Sequence, residues 1–181
     1  MKILIFPGGF QAVKNYGNYE GVDIWLKSYS KEVPSADYYI GHSGGASFIL
    51  SHHSSISNGR FILVNPLIRK RGILSLLWNW VRFFFVEGIK REKIVPISNW
   101  FYGLRLVSKL LKVDVFSIVQ KIPRENLVII RGKNDVWFCD EKSSEMIKKS
   151  GIKLIEVDAG HDWNKKIAET VKNLLSDFNK V

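Results

Sequence analysis

Short apolar runs recur along the chain, and segments with helical spacing separate them. Most of these runs are continuous rather than alternating and are rich in Ile, Val, Phe and Tyr, which is typical of parallel strands buried on both faces. Five strands are predicted, at residues 2–6, 37–41, 61–65, 127–131 and 153–157. Strands that alternate with helices predict an α/β fold with right-handed crossovers.

Apolar positions between the strands predict the helices. Val22, Trp25, Leu26 and Tyr29 fall at i, i+3, i+4 and i+7, which predicts a helix between the first two strands. Asp140 is a candidate N-cap for a helix that continues through residues 146 and 147. A buried helix is predicted after the second strand and an amphipathic one at the end of the chain, on Ala46, Phe48, Ile49 and Leu50 and on Ile167, Val171, Leu174, Leu175 and Phe178.

The third and fourth predicted strands are much further apart than one crossover requires. Two segments between them, residues 73–86 and 98–113, are dense in aromatic and aliphatic residues and predict two or more helices. We therefore expect one domain over residues 1–181, with residues 66–125 inserted as a helical cap. The predicted architecture is a three-layer α/β/α sandwich with a trimmed, mostly parallel sheet of about five or six strands.

A candidate nucleophile follows the second predicted strand. Gly41-His42-Ser43-Gly44-Gly45 fits the pattern G-x-S-x-G and comes directly after an apolar run. A strand that turns sharply into a helix lifts the serine hydroxyl clear of the backbone, and glycines are needed where a Cβ would collide with a neighbouring element. We expect His42 to support this turn rather than to react.

A serine hydroxyl needs a base to take its proton and a third group to orient the base. His161 lies in the loop after the last predicted strand, and Asp135 lies just beyond the fourth. The carboxyl ends of parallel strands meet at one edge of an open sheet, so both side chains are expected near Ser43. Asp140 and Asp162 are alternatives to Asp135.

The order Ser, Asp, His along the chain, together with the G-x-S-x-G turn, resembles the compact members of the α/β-hydrolase superfamily. The resemblance implies that Ser43 is the nucleophile, His161 the general base and acid, and Asp135 the orienting acid. Residues 6–10, Phe-Pro-Gly-Gly-Phe, resemble the oxyanion loop of these enzymes. Two backbone N–H groups must face the developing oxyanion. Gly44 is expected to supply one and either Gly9 or Phe10 the other, with Gly9 preferred.

This sequence departs from the family in two places. A proline, Pro7, stands before Gly8 where these enzymes usually have His-Gly. The sheet also lacks the customary N-terminal hairpin and the extra strand that most members have between the first two strands predicted here. Neither difference removes a residue of the predicted triad.

The resemblance implies a serine hydrolase that cleaves a carboxylic ester or thioester with an apolar acyl group through an acyl-enzyme. No cofactor is expected, and no spacing typical of a metal site, a phosphate-binding loop or a dinucleotide fingerprint is present in the sequence. The alternative is a non-catalytic binding or scaffold module on a hydrolase frame. Such a module would contact a partner or an anionic membrane through its basic, aromatic cap.

The formal charge of +10 is concentrated in the cap, where residues 66–125 hold twelve cations and four anions. One interpretation is a lid whose aromatic residues line an acyl tunnel and whose cations face an anionic membrane or headgroup. The other is an ordinary helical cap with a solvated basic face. A charge of this size would also attract nucleic acid, but no recognised nucleic-acid motif accompanies it, so such a partner is not expected.

Composition places the chain among ordinary globular proteins, with 46% hydrophobic and 24% charged residues. The first apolar run is too short for a signal-peptide core, and a single cysteine, Cys139, permits no internal disulfide. A cytoplasmic location is therefore predicted. The oligomeric state and the identity of the substrate stay open.

Overall fold

A parallel sheet of five strands forms the centre of the computed structural model, which describes residues 1–29, 32–56, 59–87 and 91–178. The strands lie side by side in chain order: β1 (Ile3–Phe6), β2 (Tyr38–His42), β3 (Arg60–Val64), β4 (Leu127–Gly132) and β5 (Lys153–Val157). Every neighbouring pair is parallel. The predicted α/β class and parallel sheet are confirmed, and each predicted strand agrees with the observed one to within one residue at either end.

Burial explains why the strand sequences are continuous apolar runs. β2 and β4 are buried along their whole length, and Ile5, Ile40 and Ile62 are fully inaccessible in the middle of the sheet. The register places the carboxyl ends of the strands at one edge, where the loops after them meet. This edge positions the candidate site.

Helices cover both faces of the sheet. They are α1 (Gly44–Ser51), α2 (Ile73–Val86), α3 (Trp100–Leu110), α4 (Val115–Val119), α5 (Glu141–Lys149) and α6 (Lys165–Phe178). One apolar cluster contains buried residues of α1, α3, α4 and α5, and a second cluster, on the other face, contains those of α6. The arrangement is therefore the three-layer α/β/α sandwich that the sequence predicts. Asp140 caps α5 as predicted, since its carboxylate accepts a hydrogen bond from Ser143 N–H.

The helix predicted on Val22, Trp25, Leu26 and Tyr29 is wrong. Residues 22–29 form turns and bends, and a short 3₁₀ helix, Val13–Tyr16, precedes them. The backbone on either side of Gly21 hydrogen bonds to β1 instead, with Glu20 C=O accepting from Ile5 N–H and Val22 N–H donating to Ile5 C=O. The helical spacing correctly marked Trp25 as buried, but pairing with the sheet edge determined the backbone.

Residues 66–125, which we call the cap, contain α2, α3 and α4. Residues 88–90 of the cap lie outside the described part of the chain. They include Lys90, one of the twelve cations counted in the cap. Among the described helices, none combines the length and the apolar character needed to cross a membrane.

Candidate active site

The turn between β2 and α1 holds Ser43 in a strained conformation. Its φ of 50° lies in the left-handed region, which side-chain-bearing residues rarely adopt. A Cβ on Gly41 would lie 2.6 Å from Ala46 Cα, and a Cβ on Gly45 would lie 2.1 Å from the Phe6 carbonyl oxygen. The two outer glycines of G-x-S-x-G are therefore required because the turn presses against α1 on one side and β1 on the other.

The structure brings together the three predicted side chains. Ser43 Oγ lies 2.9 Å from His161 Nε2, and His161 Nδ1 lies 2.6 Å from Asp135 Oδ2. All three residues are buried. A carboxylate only accepts hydrogen bonds, so Nδ1–H donates to Asp135, and Nε2 is left to accept from the serine hydroxyl. This is the tautomer in which a histidine can take the serine proton.

Asp135 is held as an anion by the chain that follows it. Its carboxylate accepts hydrogen bonds of 3.0 Å from the backbone N–H groups of Trp137, Phe138 and Cys139. Burial opposes its charge, but the neighbouring His161 and these donors outweigh burial and hold the pKa of Asp135 at about 2. The carboxylate is therefore ionised at neutral pH and stabilises a positive charge on His161.

The two alternative aspartates have other partners. Asp140 caps α5 and forms an ion pair of 2.8 Å with Arg71. Asp162 accepts from Gln11 Nε2 and from Lys93 Nζ, each at 2.7 Å. Neither carboxylate is hydrogen bonded to a ring nitrogen of His161 in the structure, so Asp135 is the aspartate that contacts this ring.

Backbone N–H groups converge beside Ser43 from two elements. Gly44 is the first residue of α1, so its N–H has no acceptor within the helix. The backbone nitrogen of Gly9 lies 3.7 Å from the position that a Cβ on Gly44 would occupy. Phe10, next in the chain, has a φ of 57°, and Gly8 N–H is already donated to the Tyr16 hydroxyl at 2.7 Å. Of the predicted loop donors, Gly9 is therefore placed beside Gly44.

His42 lies beneath the relay and supports its backbone. His42 Nε2 is 2.9 Å from the carbonyl oxygen of His161, and His42 Nδ1 is 2.7 Å from the Tyr16 hydroxyl. A carbonyl only accepts, so Nε2–H donates to it, while the Tyr16 hydroxyl lies within hydrogen-bond distance of both His42 Nδ1 and Gln11 Oε1. Burial, reinforced by the nearby His161, lowers the pKa of His42 to about 4. With its pKa lowered this far, His42 is neutral at pH 7.

Asn65 connects the loops that carry Asp135 and His161. It directly follows β3, is fully buried and has a φ of 46°. Its Nδ2 donates to the His161 carbonyl at 2.7 Å, and its Oδ1 accepts from Gly132 N–H at 2.7 Å. Sequence reasoning missed this role. The available signal was a polar residue ending a predicted strand at the edge where the site was expected.

Glu87, directly after α2, connects the cap to the histidine loop. Its carboxylate accepts from Trp137 Nε1 at 2.9 Å, from His161 N–H at 3.1 Å and from Asp162 N–H at 3.4 Å. Sequence reasoning missed this residue as well. The cap has twelve cations and four anions, and Glu87 is one of these anions. The scarcity of anions in the cap was the available signal in the sequence.

A cavity of about 150 Å³ opens at Ser43. Apolar side chains dominate its lining, and the cap supplies most of them: Phe10, Trp25, Leu67, Leu76, Trp80, Phe83, Leu104, Val107, Leu110, Leu111 and Phe138. Phe83 and Phe138 also pack against the His161 ring, with centroid distances of 5.2 and 4.5 Å. The polar groups of the lining are concentrated around Ser43 and His161, so the cavity presents an apolar chamber to the serine hydroxyl.

Solved structures show the same fold at low sequence identity. A lipase-esterase related protein from Clostridium acetobutylicum ATCC 824 superimposes with a TM-score of 0.61 at 14% identity, covering 98% of this chain and 93% of that one. An α/β-hydrolase enzyme from a sediment metagenome of the Mar Chica lagoon, Morocco, gives 0.58 at 15% identity, covering 99% and 90%. The thioesterase domain from the curacin biosynthetic pathway gives 0.54 at 12% identity, covering 96% and 90%.

No family model matches the chain, and no curated protein matches it by sequence. The structural matches nevertheless establish that the chain has the α/β-hydrolase fold. The predicted resemblance to the α/β-hydrolase superfamily is confirmed at the level of the fold.

Proposed function

We propose that this protein is a serine hydrolase that cleaves a carboxylic ester or thioester. The observation that carries the proposal is a continuous hydrogen-bonded relay from Asp135 through His161 to Ser43, which ends at an apolar cavity. Neighbours with the same fold include a lipase-esterase related protein and a thioesterase domain, which supports ester chemistry. Fold alone does not define an activity, so the proposal depends on the site.

In the first half-reaction, Ser43 Oγ attacks the carbonyl carbon of the substrate while His161 Nε2 takes the serine proton. The positive imidazolium that forms is stabilised by the ionised Asp135. His161 then returns the proton to the leaving alcohol or thiol, and the acyl group stays on the serine. Water repeats the sequence with the acyl-enzyme and releases the acid.

Negative charge develops on the carbonyl oxygen in both halves of the reaction. We assign its stabilisation to the N–H groups of Gly44 and Gly9, with Phe10 N–H as the alternative loop donor. Both elements are fixed before substrate arrives, because Gly44 begins a helix and residues 8–11 form a hydrogen-bonded turn. A donor held in advance requires no reorganisation during the reaction.

We infer the acyl group from the cavity. Its apolar walls favour a hydrocarbon, and an apolar space of about 150 Å³ holds a molecule the size of benzene. Leu104 lines the cavity and is also half exposed, so the chamber reaches the surface beside this residue. We infer a short or branched acyl group, with any longer chain leaving past Leu104.

A fluorophosphonate probe and a series of p-nitrophenyl esters test the proposal. The parent protein should react with the probe, and Ser43→Ala should abolish labelling and lower kcat by at least about 10⁴-fold. Ser47→Ala is a matched control, because Ser47 is buried in α1 and its hydroxyl has no hydrogen-bond partner among the described residues. Labelling that persists in Ser43→Ala, or an unreactive parent protein, would overturn the proposal in favour of a binding module.

A further inference from the structure

The outward face of α2 is apolar and exposed among the residues that the structure describes. Leu74, Trp78, Val81 and Phe85 are 79%, 62%, 39% and 80% exposed. They are spaced by four, three and four residues, so on an α-helix they lie within a sector of about 60°. We call these four residues the outer stripe. Large apolar side chains aligned this way on a surface typically mark a contact site.

The opposite face of the same helix is already occupied. Leu76, Trp80 and Phe83 line the cavity, and Asn79 donates to the Trp137 carbonyl at 2.9 Å. These residues lie about half a turn from the outer stripe. Packing against the hydrolase core therefore explains the inner face of α2 and leaves the outer stripe unexplained.

The cap that carries the outer stripe also carries exposed cations, with Arg82 on α2 itself and Arg105 on α3. Arg82 and Arg105 are exposed and lie over the rings of Trp137 and Phe101. Glu87 is hydrogen bonded towards the His161 loop, and Asp114 pairs with Lys70 at 2.8 Å. With twelve cations and four anions, the cap has an excess of positive charge, and Trp78 and Phe85 are exposed on the same segment.

We propose that the outer stripe docks on an anionic lipid surface, with α2 lying in the interface. An interfacial helix inserts Trp, Phe and Leu into the acyl boundary while its Lys and Arg side chains contact anionic headgroups. The four residues project into solvent as a ridge, which suits insertion into a fluid phase. Because the inner face of α2 lines the cavity, docking places the substrate chamber directly above the lipid. This inference goes beyond the proposed activity and does not depend on it.

Vesicle flotation measures the docking directly. The parent protein should float with vesicles of phosphatidylcholine containing about a quarter phosphatidylglycerol and remain unbound with phosphatidylcholine alone. Raising the salt from about 0.1 M to about 1 M should weaken binding, since screening shortens the reach of the cations. The double variant Trp78→Ser/Phe85→Ser should lose at least about tenfold in vesicle affinity, and because both side chains face solvent it should remain folded by circular dichroism.

Two matched charge variants separate the contribution of the cap to vesicle binding from that of the net charge of the protein. Arg82→Gln/Arg105→Gln should weaken binding to the anionic vesicles several-fold. Lys165→Gln/Lys172→Gln removes the same charge from exposed positions of α6, on the other face of the sheet, and should leave binding unchanged. Ser43→Ala should bind vesicles like the parent protein, so a failure of the proposed activity and a failure of docking are distinguishable.

Three outcomes would overturn the proposal. The first is no binding to anionic vesicles at either salt concentration. The second is equal loss of binding in the α6 control, which would indicate non-specific attraction by the net charge. The third is a dimer in sedimentation velocity that Trp78→Ser/Phe85→Ser converts to monomer without any vesicle binding by the parent, which would make the outer stripe a contact between copies of this chain.

Discussion

Two regions of the molecule meet at His161 and hold it in different ways. One is the set of loops that follow the strands, which we call the rim, and the other is the cap. The rim, formed by the loops that carry Ser43, Asp135 and His161, fixes its groups through backbone hydrogen bonds and close glycine contacts. The described part of the cap reaches His161 through two side chains, with Phe83 packed on the ring and the Glu87 carboxylate accepting from the backbone N–H.

This difference predicts how each region tolerates change. A group fixed by the backbone cannot be altered without disturbing the fold, because its partners are buried and would be left unsatisfied. The cap side chains that line the cavity lie on helices outside the sheet, so substitutions there can change the size of the cavity or the outer surface of the cap without disturbing the sheet. Changes in the rim should therefore affect stability and chemistry together, and changes in the cap should affect rate or selectivity.

The largest effect is expected in the rim, from the titration of His42. The unfolded chain protonates this residue near pH 6.5 and the folded protein only near pH 4, so between these values the unfolded state holds more protons. The contribution to the free energy of unfolding should therefore fall by up to about 3 kcal/mol as the pH drops from 6.5 to 4. Urea unfolding over this range measures it.

The variant His42→Asn isolates this contribution. It should be less stable at pH 7, because it loses the bond to the His161 carbonyl, but its stability should fall less between pH 6.5 and 4. Asp135 affects stability in a lower pH range. Its charge stabilises the folded protein fully above its usual pKa near 3.8, and this stabilisation is lost as the pH falls towards about 2. Parallel pH dependences in the parent and His42→Asn would contradict the assignment.

An intermediate effect is expected at Glu87, where the cap contacts the rim. Glu87→Ala removes the acceptor for His161 N–H and for Trp137 Nε1, so the base should be less well oriented. We expect kcat for a p-nitrophenyl ester to fall about 10- to 100-fold with little change in KM, because positioning acts on the transition state.

Glu125→Ala is the matched control for Glu87→Ala. It removes the same charge from the cap, in the short 3₁₀ turn just before β4, at the far end of that strand from the rim. The control should retain parental kcat. Equal kcat losses in the two variants would refute a specific role for Glu87, and an unchanged kcat in Glu87→Ala would show that the cap does not position the base.

The smallest effect is expected within the cavity wall. Val107→Trp should fill part of the chamber, lowering kcat/KM for p-nitrophenyl hexanoate about tenfold more than for the acetate. Ser108→Trp places the same ring at the neighbouring exposed position and should leave this ratio unchanged. A uniform loss for both esters in Val107→Trp would instead indicate that the acyl group lies elsewhere.

Features that depend on residues close together in the sequence could be predicted from the sequence alone. Strands buried on both faces appear as continuous apolar runs, and the turn at Ser43 carries its own glycine pattern, so both were predictable. The cysteine count and the charge also needed no structure. The partners His161 and Asp135 could be placed because parallel topology brings strand ends to one edge.

The roles that escaped prediction depend on contacts between distant segments. Asn65 and Glu87 act on the His161 backbone from 96 and 74 residues away, and no local pattern records such a contact. The segment at residues 22–29 failed for a related reason. Apolar spacing indicates which residues are buried, but the hydrogen bonds to Ile5 that determine the backbone belong to tertiary structure.

The chain around Gly21 covers an edge of the sheet. β1 lies at one end of the sheet, where an exposed strand edge would be a template for pairing with other molecules. The outward-facing N–H and C=O of Ile5 are instead bonded to the chain around Gly21, where a Cβ would come within 2.6 Å of the Ile5 carbonyl oxygen. The segment around Gly21 therefore occupies this edge of β1, and we expect a side chain at Gly21 to displace it and expose the edge.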